Sequence, residues 1–144
     1  MDRAALDVAL KQGIDCGGWC PQGRLDEFGP TPDRYPVQEL PNGTFADRTR
    51  ENVKDCDGTV ILYPGELRGG SAFTRQSCEE LGRPCCLIDA AVLSREEAAA
   101  RIREFITTNE IRILNVAGPR ESEWPAGYAY ATGAIEAALR TRKV

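Results

Sequence analysis

Short, continuous apolar runs separated by segments of helical period dominate the second half of this chain. Residues 59–63 (TVILY), 85–88 (CCLI) and 111–116 (IRILNV) have the length and apolarity of strands buried on both faces of a parallel sheet. Between the first two, 73–81 reads as a helix stopped by Gly82-Arg83-Pro84. Ser94 and Glu97 form a capping box that opens a helix to about Thr108. Pro125 starts a last helix that runs to about Arg140. This alternation predicts one α/β domain with three layers, a mainly parallel sheet and right-handed crossovers. The first half is less regular. Residues 2–12 (DRAALDVALKQ) read as a helix with Leu6, Ala9 and Leu10 on one face, ended by Gly13. Residues 14–20 are a Gly-interrupted extended segment. Residues 21–42, rich in Gly and Pro, are expected to form an ordered surface loop of the length that usually serves function. Residues 45–54 form a short helix with Asp47 as its N-cap. No strand precedes the first helix, whereas a doubly wound fold usually opens on a central strand and its glycine turn.

Composition narrows the function. With 144 residues, 42% of them apolar and 28% charged, the chain can bury a core of its own. A net charge of −4 and a pI near 5.0 lack the broad basic footprint of a nucleic-acid binder, so nucleic acid is not expected as a partner. The chain contains no histidine, which excludes Ser-His-Asp triads, Cys-His dyads and His-ligated zinc. Its six cysteines include no C-x-x-C pair, and nothing reads as a secretory signal. Free thiols and a cytoplasmic location are the expectation. No apolar stretch has the length of a membrane span.

The candidate chemistry lies in two junctions, 58–71 (GTVILYPGELRGGS) and 111–122 (IRILNVAGPRES). Each is an apolar run, a Gly/Pro bend and then polar residues ahead of a predicted helix. A helix start offers unpaired N–H groups and partial positive charge, so two such junctions side by side would make an anion pocket. Gly69, Gly70 and Ser71 could cradle a phosphate, with Thr74 adding a hydroxyl; the plainer reading is a strand-to-helix turn with Ser71 as N-cap. Following Gly118, Arg120 could grip an anion bidentately and Ser122 could donate a hydrogen bond, or Arg120 could simply pair with Glu121 or Glu123 on the surface. Asn115 is polar in an apolar strand, suited either to ligand contact or to bracing its neighbours. Trp19 could stack on a flat heterocycle and Arg24 neutralise an anion, while core packing is the ordinary fate of Trp19 and Cys20. Cys85 and Cys86 read as strand core. Arg48, Thr49 and Asn52 share one helix face, either solvated or ligand-facing. Asp55, Asp57 and Asp89 could be acids but suit capping and turns equally well. No catalytic residue and no metal ligand is assigned.

The segments DRAALDVAL, GGWCPQGR, YPVQEL, RTRENVKDCDGTVIL, RGGSAFT and LNVAGPRES together resemble the molybdenum carrier family, which is similar to the Rossmann-like lysine-decarboxylase-like group. The resemblance covers nearly the whole chain, in order. It implies a Rossmann-like fold and a small-molecule binding protein whose ligand is molybdenum cofactor (molybdopterin), a phosphorylated pterin with a dithiolene-bound metal. It also implies a homo-oligomer, with a tetramer as the expected state and a candidate interface on the small-residue face of the last helix (Ala129, Thr132, Gly133, Ala137), although that face better suits packing on the chain's own sheet. The alternative is a nucleotide-binding or nucleoside-monophosphate-hydrolysing enzyme of the wider group. There, a Pro-Gly-Gly-x-Gly-Thr loop precedes a catalytic glutamate; here the stretch reads RGGSAFTRQ, with no acid before Glu79. One departure stands out. In the family a strand ending in Gly-Gly-Gln-Thr-Gly precedes the first helix, and here Met1 stands directly before Asp2. The expectation is therefore a fold whose first strand is absent, from truncation or a misplaced start, and that melts lower and binds phosphate more weakly than a longer form.

Overall fold

A computed structural model describes residues 2–14, 16–20, 25–26, 29–30, 37–39 and 43–139. The elements are α1 (Asp2–Gln12), β1 (Gly18–Cys20), β2 (Leu25–Asp26), β3 (Gly29–Pro30), β4 (Val37–Glu39), α2 (Phe45–Lys54), β5 (Gly58–Tyr63), α3 (Gly69–Leu81), β6 (Cys85–Asp89), α4 (Arg95–Thr108), β7 (Leu114–Ala117) and α5 (Gly127–Leu139). The main sheet is parallel, with order β6-β5-β7. Thr59 pairs with Cys85 on one side and with Asn115 on the other. Outside this sheet, β1 pairs with β4 in parallel and β2 with β3 antiparallel. The remainder of the 21–42 segment, expected as an ordered surface loop, lies outside the described residues.

The chain leaves β5 through α3 to β6 on one side, then crosses back through α4 to β7 on the other. Right-handed crossovers in opposite directions place their helices on opposite faces. Accordingly α2 packs with α3, while α5 packs with both α4 and α1. The result is the expected three-layer Rossmann-like fold. The main core fills the α1/α4/α5 face: Val60, Leu62, Cys86 and Ile88 from the sheet meet Val8, Ile102, Phe105 and Ile135 from the helices. Each large aliphatic buried here contributes about 1.5–3 kcal/mol. Gly58 is required where β5 enters this face, because a Cβ there would lie 2.5 Å from Ile111 Cδ1 and 2.9 Å from Phe105 Cζ.

The ends of the elements differ from the sequence reading for local reasons. Thr44, not Asp47, caps α2. Asp47 occupies the third helical position and closes a capping box, its carboxylate accepting from Thr44 N at 3.0 Å. The last helix begins at Gly127 rather than Pro125, because the preceding residues form a turn in which Gly127 N donates to Trp124 O at 2.9 Å. β7 begins at Leu114 because the amides of Arg112 and Ile113 donate instead to the Asp57 carboxylate, at 3.0 and 2.9 Å. Ser94 and Glu97 form the expected capping box, and Gly82 ends α3 at φ +65°. In α1 the buried residues are Ala4, Val8 and Ala9, while Leu10 is 44% exposed. The face turned inward is thus one step removed from the expected one. On α5, Gly133 lies under the Arg95 side chain, and Ile135 is buried in the chain's own core.

Candidate functional site

The boundary between β5 and β7 is where the chain's direction of travel across the sheet reverses. In open parallel α/β sheets the crevice beyond the strand C-termini at this point is the usual ligand site. A pocket of about 300 Å³ opens there, at the lower end of the range for small-molecule sites. Three pieces of chain line it. The first turns of α2 supply Phe45, Arg48, Thr49 and Asn52; the start of α3 supplies Arg68 to Ser71, Phe73 and Thr74; and the end of β7 and its following bend supply Asn115 through Arg120, with Glu123 beyond.

The two helix N-termini at the pocket are not equivalent. That of α2 is closed by its own Thr44–Asp47 box. That of α3 has no side-chain cap: Arg68 holds the N-cap position and makes no capping bond. Ser71 N and Ala72 N reach Arg68 O at 3.0 and 3.2 Å. Among the described residues the N–H groups of Gly69 and Gly70 have no acceptor, and a Cβ on either glycine would meet nothing within 4 Å. Gly69 has φ +50°, a conformation that glycine adopts without strain. The helix therefore begins four residues before the sequence pattern suggests, and Ser71 lies inside it rather than at its cap.

Ser71 is the most informative side chain. It is 2% exposed, lines the pocket, and its Oγ has no hydrogen-bond partner among the described residues. Leaving a buried hydroxyl unpaired costs about 1–3 kcal/mol, so such a group points to a ligand or water that completes it. Thr74 differs: its hydroxyl donates to Gly70 O at 2.8 Å, so its proton is committed and only lone pairs remain for a ligand. Asn115 braces its neighbour, its Nδ2 donating to Thr59 Oγ1 at 3.2 Å, and it also lines the pocket.

Cationic side chains surround this uncapped end. The Arg120 guanidinium lies 5.3 Å and that of Arg48 5.9 Å from the centroid of the Phe45 ring, within cation–π range. Arg68 donates to Glu66 at 2.6 Å in an exposed pair, a contact of small net worth. Among the described lining residues Glu123 is the acid.

Of the predicted site residues, the structure brings Gly69, Gly70, Ser71, Thr74, Asn115, Gly118 and Arg120 to one pocket. Arg48, Thr49 and Asn52 line the same pocket. Ser122 is exposed, in the turn after Arg120, and is not part of the lining. Arg24 and the side chain of Trp19 lie outside the described residues. The Gly18 backbone nevertheless runs close to the pocket, since a Cβ there would lie 3.2 Å from Asn52 Oδ1. Sequence reasoning missed Phe45 and Phe73. Phe45 opens a helix inside the Thr44-x-x-Asp47 capping signature, which was a usable signal.

The candidate acids have structural duties. Asp57 accepts two backbone amides, from Ile113 and Arg112, and these hold its carboxyl below the ordinary carboxylate range. Asp89 Oδ1 accepts from Gly65 N and Ala91 N, both at 2.9 Å. Asp55 is the C-cap of α2. Glu79 is exposed and pairs with Arg75 at 3.4 Å on the same helix. Among the described residues no group of His, Cys, Asp and Glu is arranged to hold a metal ion.

A parallel sheet, helices on both faces and a donor-rich crevice at the reversal point define a Rossmann-like α/β domain. The chain belongs to the circularly permutated YpsA SLOG family, which it matches over residues 1–139. It is also similar to a crystal structure described as a putative molybdenum carrier protein from Syntrophus aciditrophicus SB. The two share 43% sequence identity and a TM-score of 0.94, over 96% of this chain and 87% of the other. The kinship read from the sequence segments is thereby met. No curated protein matches the chain. Among the described residues no helix is long and apolar enough to cross a membrane.

Proposed function

We propose that this protein binds a phosphorylated small molecule, and that its cargo is molybdenum cofactor, held and handed on rather than chemically altered. The observation that carries the reading is the unpartnered, buried Ser71 hydroxyl beside the uncapped start of α3. A phosphate monoester seated there accepts from Gly69 N, Gly70 N and Ser71 Oγ, with Arg120 and Arg48 supplying the countercharge. The flat heterocycle then extends past Asn115 toward Phe45 and the Gly18 backbone. The chemistry of the donors fits this cargo: they suit an oxyanion, and the cofactor's metal keeps its bonds to the dithiolene. The name of the Syntrophus relative supports the assignment. The same kinship supports assembly as a homo-oligomer.

A hydrolase acting on nucleotides would require a carboxylate poised over the anion. Glu123 is the candidate among the described lining residues. The deciding experiment is purification from a host that makes the cofactor. Bound molybdenum and a fluorescent pterin released on oxidation are expected. Protein that carries neither, yet releases base or phosphate from a nucleotide panel, refutes the carrier reading.

A further inference from the structure

Phe45 lines the pocket while remaining 38% exposed. Exposure alone says little, since scattered apolar side chains are common on protein surfaces. What distinguishes Phe45 is its company. Two guanidiniums converge on its ring, Arg120 at 5.3 Å from the centroid and Arg48 at 5.9 Å. They come from different parts of the fold. Arg48 lies one turn further along α2, on the same helix face as Phe45. Arg120 comes from the bend after β7, where its carbonyl accepts from Glu123 N and Trp124 N, both at 3.0 Å. The ring thus links α2 to that bend, and both elements line the pocket together with the start of α3. The base of the ring is itself fixed. The capping box closes the first turn of α2 around Phe45, with Asp47 N donating to Thr44 Oγ1 at 3.2 Å and Thr44 N donating to Asp47 at 3.0 Å. Arg68 is the contrast: it lines the same pocket, and its charge is spent on an exposed pair with Glu66.

We infer that Phe45 is a positioning residue for the anion site: its ring gathers the Arg48 and Arg120 guanidiniums at the pocket before a ligand arrives. The inference rests on the reading of this pocket as a phosphate site. Two like charges brought to one mouth repel, and each long side chain gains freedom by turning into water. The negative face of an aromatic ring opposes both tendencies. It does so without occupying the groups a ligand needs. A guanidinium is planar, meets a ring through its face and donates hydrogen bonds through its edge, so it can rest against Phe45 and grip an oxyanion at once. Phe45 donates nothing to the anion. Its effect is to remove the ordering cost that an unsupported arginine meets on binding, equivalent to about 2- to 12-fold in affinity for each side chain.

The test titrates inorganic phosphate into the full chain by calorimetry, with thermal melting to confirm that each variant is folded. Phe45→Leu keeps apolar bulk and removes the ring; it should weaken phosphate binding by about 5- to 30-fold. Phe45→Tyr keeps the ring face and should bind within about 2-fold of the parent protein. A double-mutant cycle separates positioning from mere structural support. In an Arg120→Ala background the loss caused by Phe45→Leu should shrink by at least about 2-fold, because one of the two guanidiniums it positions is gone. In a Ser71→Ala background the full loss should remain. Unchanged affinity in Phe45→Leu, an equal loss in Phe45→Tyr, or the same loss with and without Arg120 overturns the inference. Ser71→Ala keeps this outcome distinct from failure of the site itself. If it weakens phosphate binding while Phe45→Leu does not, the anion site stands and the role of Phe45 falls; if the parent protein binds no phosphate, both fall.

Discussion

Replacing Ser71 by alanine should make the protein more stable and its pocket weaker. The hydroxyl is 2% exposed and without a partner among the described residues, so its burial carries a desolvation cost of about 1–3 kcal/mol. Alanine removes that cost and is the better helix former by up to about 0.7 kcal/mol. Allowing for partial hydration of the empty pocket, a net gain of about 1 kcal/mol is expected, which for a domain of this size raises Tm by roughly 3 °C. Ligand binding should move the opposite way. A hydrogen bond to a charged acceptor is worth about 1.5–3 kcal/mol, so affinity for inorganic phosphate should fall by roughly 10- to 150-fold. Ser77 supplies the control. It is buried in the same helix, but its hydroxyl donates to Phe73 O at 2.9 Å. Ser77→Ala should lose a little stability and leave phosphate binding unchanged. Urea denaturation and titration calorimetry on the two variants measure all four quantities. If Ser71→Ala loses more than about 1 kcal/mol of stability while phosphate affinity holds, the hydroxyl is structural and the anion site is misplaced.

Other expectations follow from the same geometry. Arg120→Ala should weaken phosphate binding by about 1.5–3 kcal/mol and barely alter stability, since the side chain is exposed; calorimetry and thermal melting check both. Gly58→Ala should destabilise by about 1–3 kcal/mol through overpacking, because its Cβ would meet Ile111 at 2.5 Å; denaturant midpoints give the value. At Gly69, φ +50° makes alanine cost about 1–2 kcal/mol, whereas Gly70→Ala meets no such strain, a contrast readable in paired melts. The carboxyls of Asp47, Asp57 and Glu97 all titrate below their ordinary values because backbone amides donate to the charged form. Their stabilisation is complete above the unfolded-state pKa, near 4, and is lost as pH falls through the lowered folded values. Asp57→Asn should therefore flatten the acid limb of the stability–pH profile.

The strongly periodic half of the chain was the legible half. Continuous apolar runs placed β5, β6 and β7 to within a few residues, and the Ser94–Glu97 capping box fixed the start of α4. Boundaries failed where a tertiary contact outbid the local pattern. Asp57 withdraws the amides of residues 112 and 113 from the ladder, and α3 extends backward over two glycines that propensity alone would exclude from a helix. The pocket was legible as a pair of junctions, because a reversal of strand order follows from the crossover rule. What could not be read was the state of individual hydroxyls. Ser71 and Thr74 look alike in sequence, yet one is unpartnered and the other is committed to a carbonyl. The alignment of Cys85, Thr59 and Asn115 across the sheet was also hidden, since it depends on register between strands far apart in the chain.

The lacing of the first helix to the last has a consequence for how the protein is made. Lys11 reaches Glu136 at 3.0 Å across 125 residues of chain, and Gln12 donates to the Glu136 carbonyl at 3.2 Å. On the ribosome α1 emerges well before α5, yet the surface that buries Ala4 and Val8 is completed only when α5 has been synthesised. At about 5–20 residues per second, that interval is roughly 6–25 s. During it the apolar side of α1 waits in solvent, available to a chaperone or to another nascent chain. Synonymous changes that slow translation of the central strands would lengthen the wait, and lower the soluble yield, without altering a single residue of the finished protein.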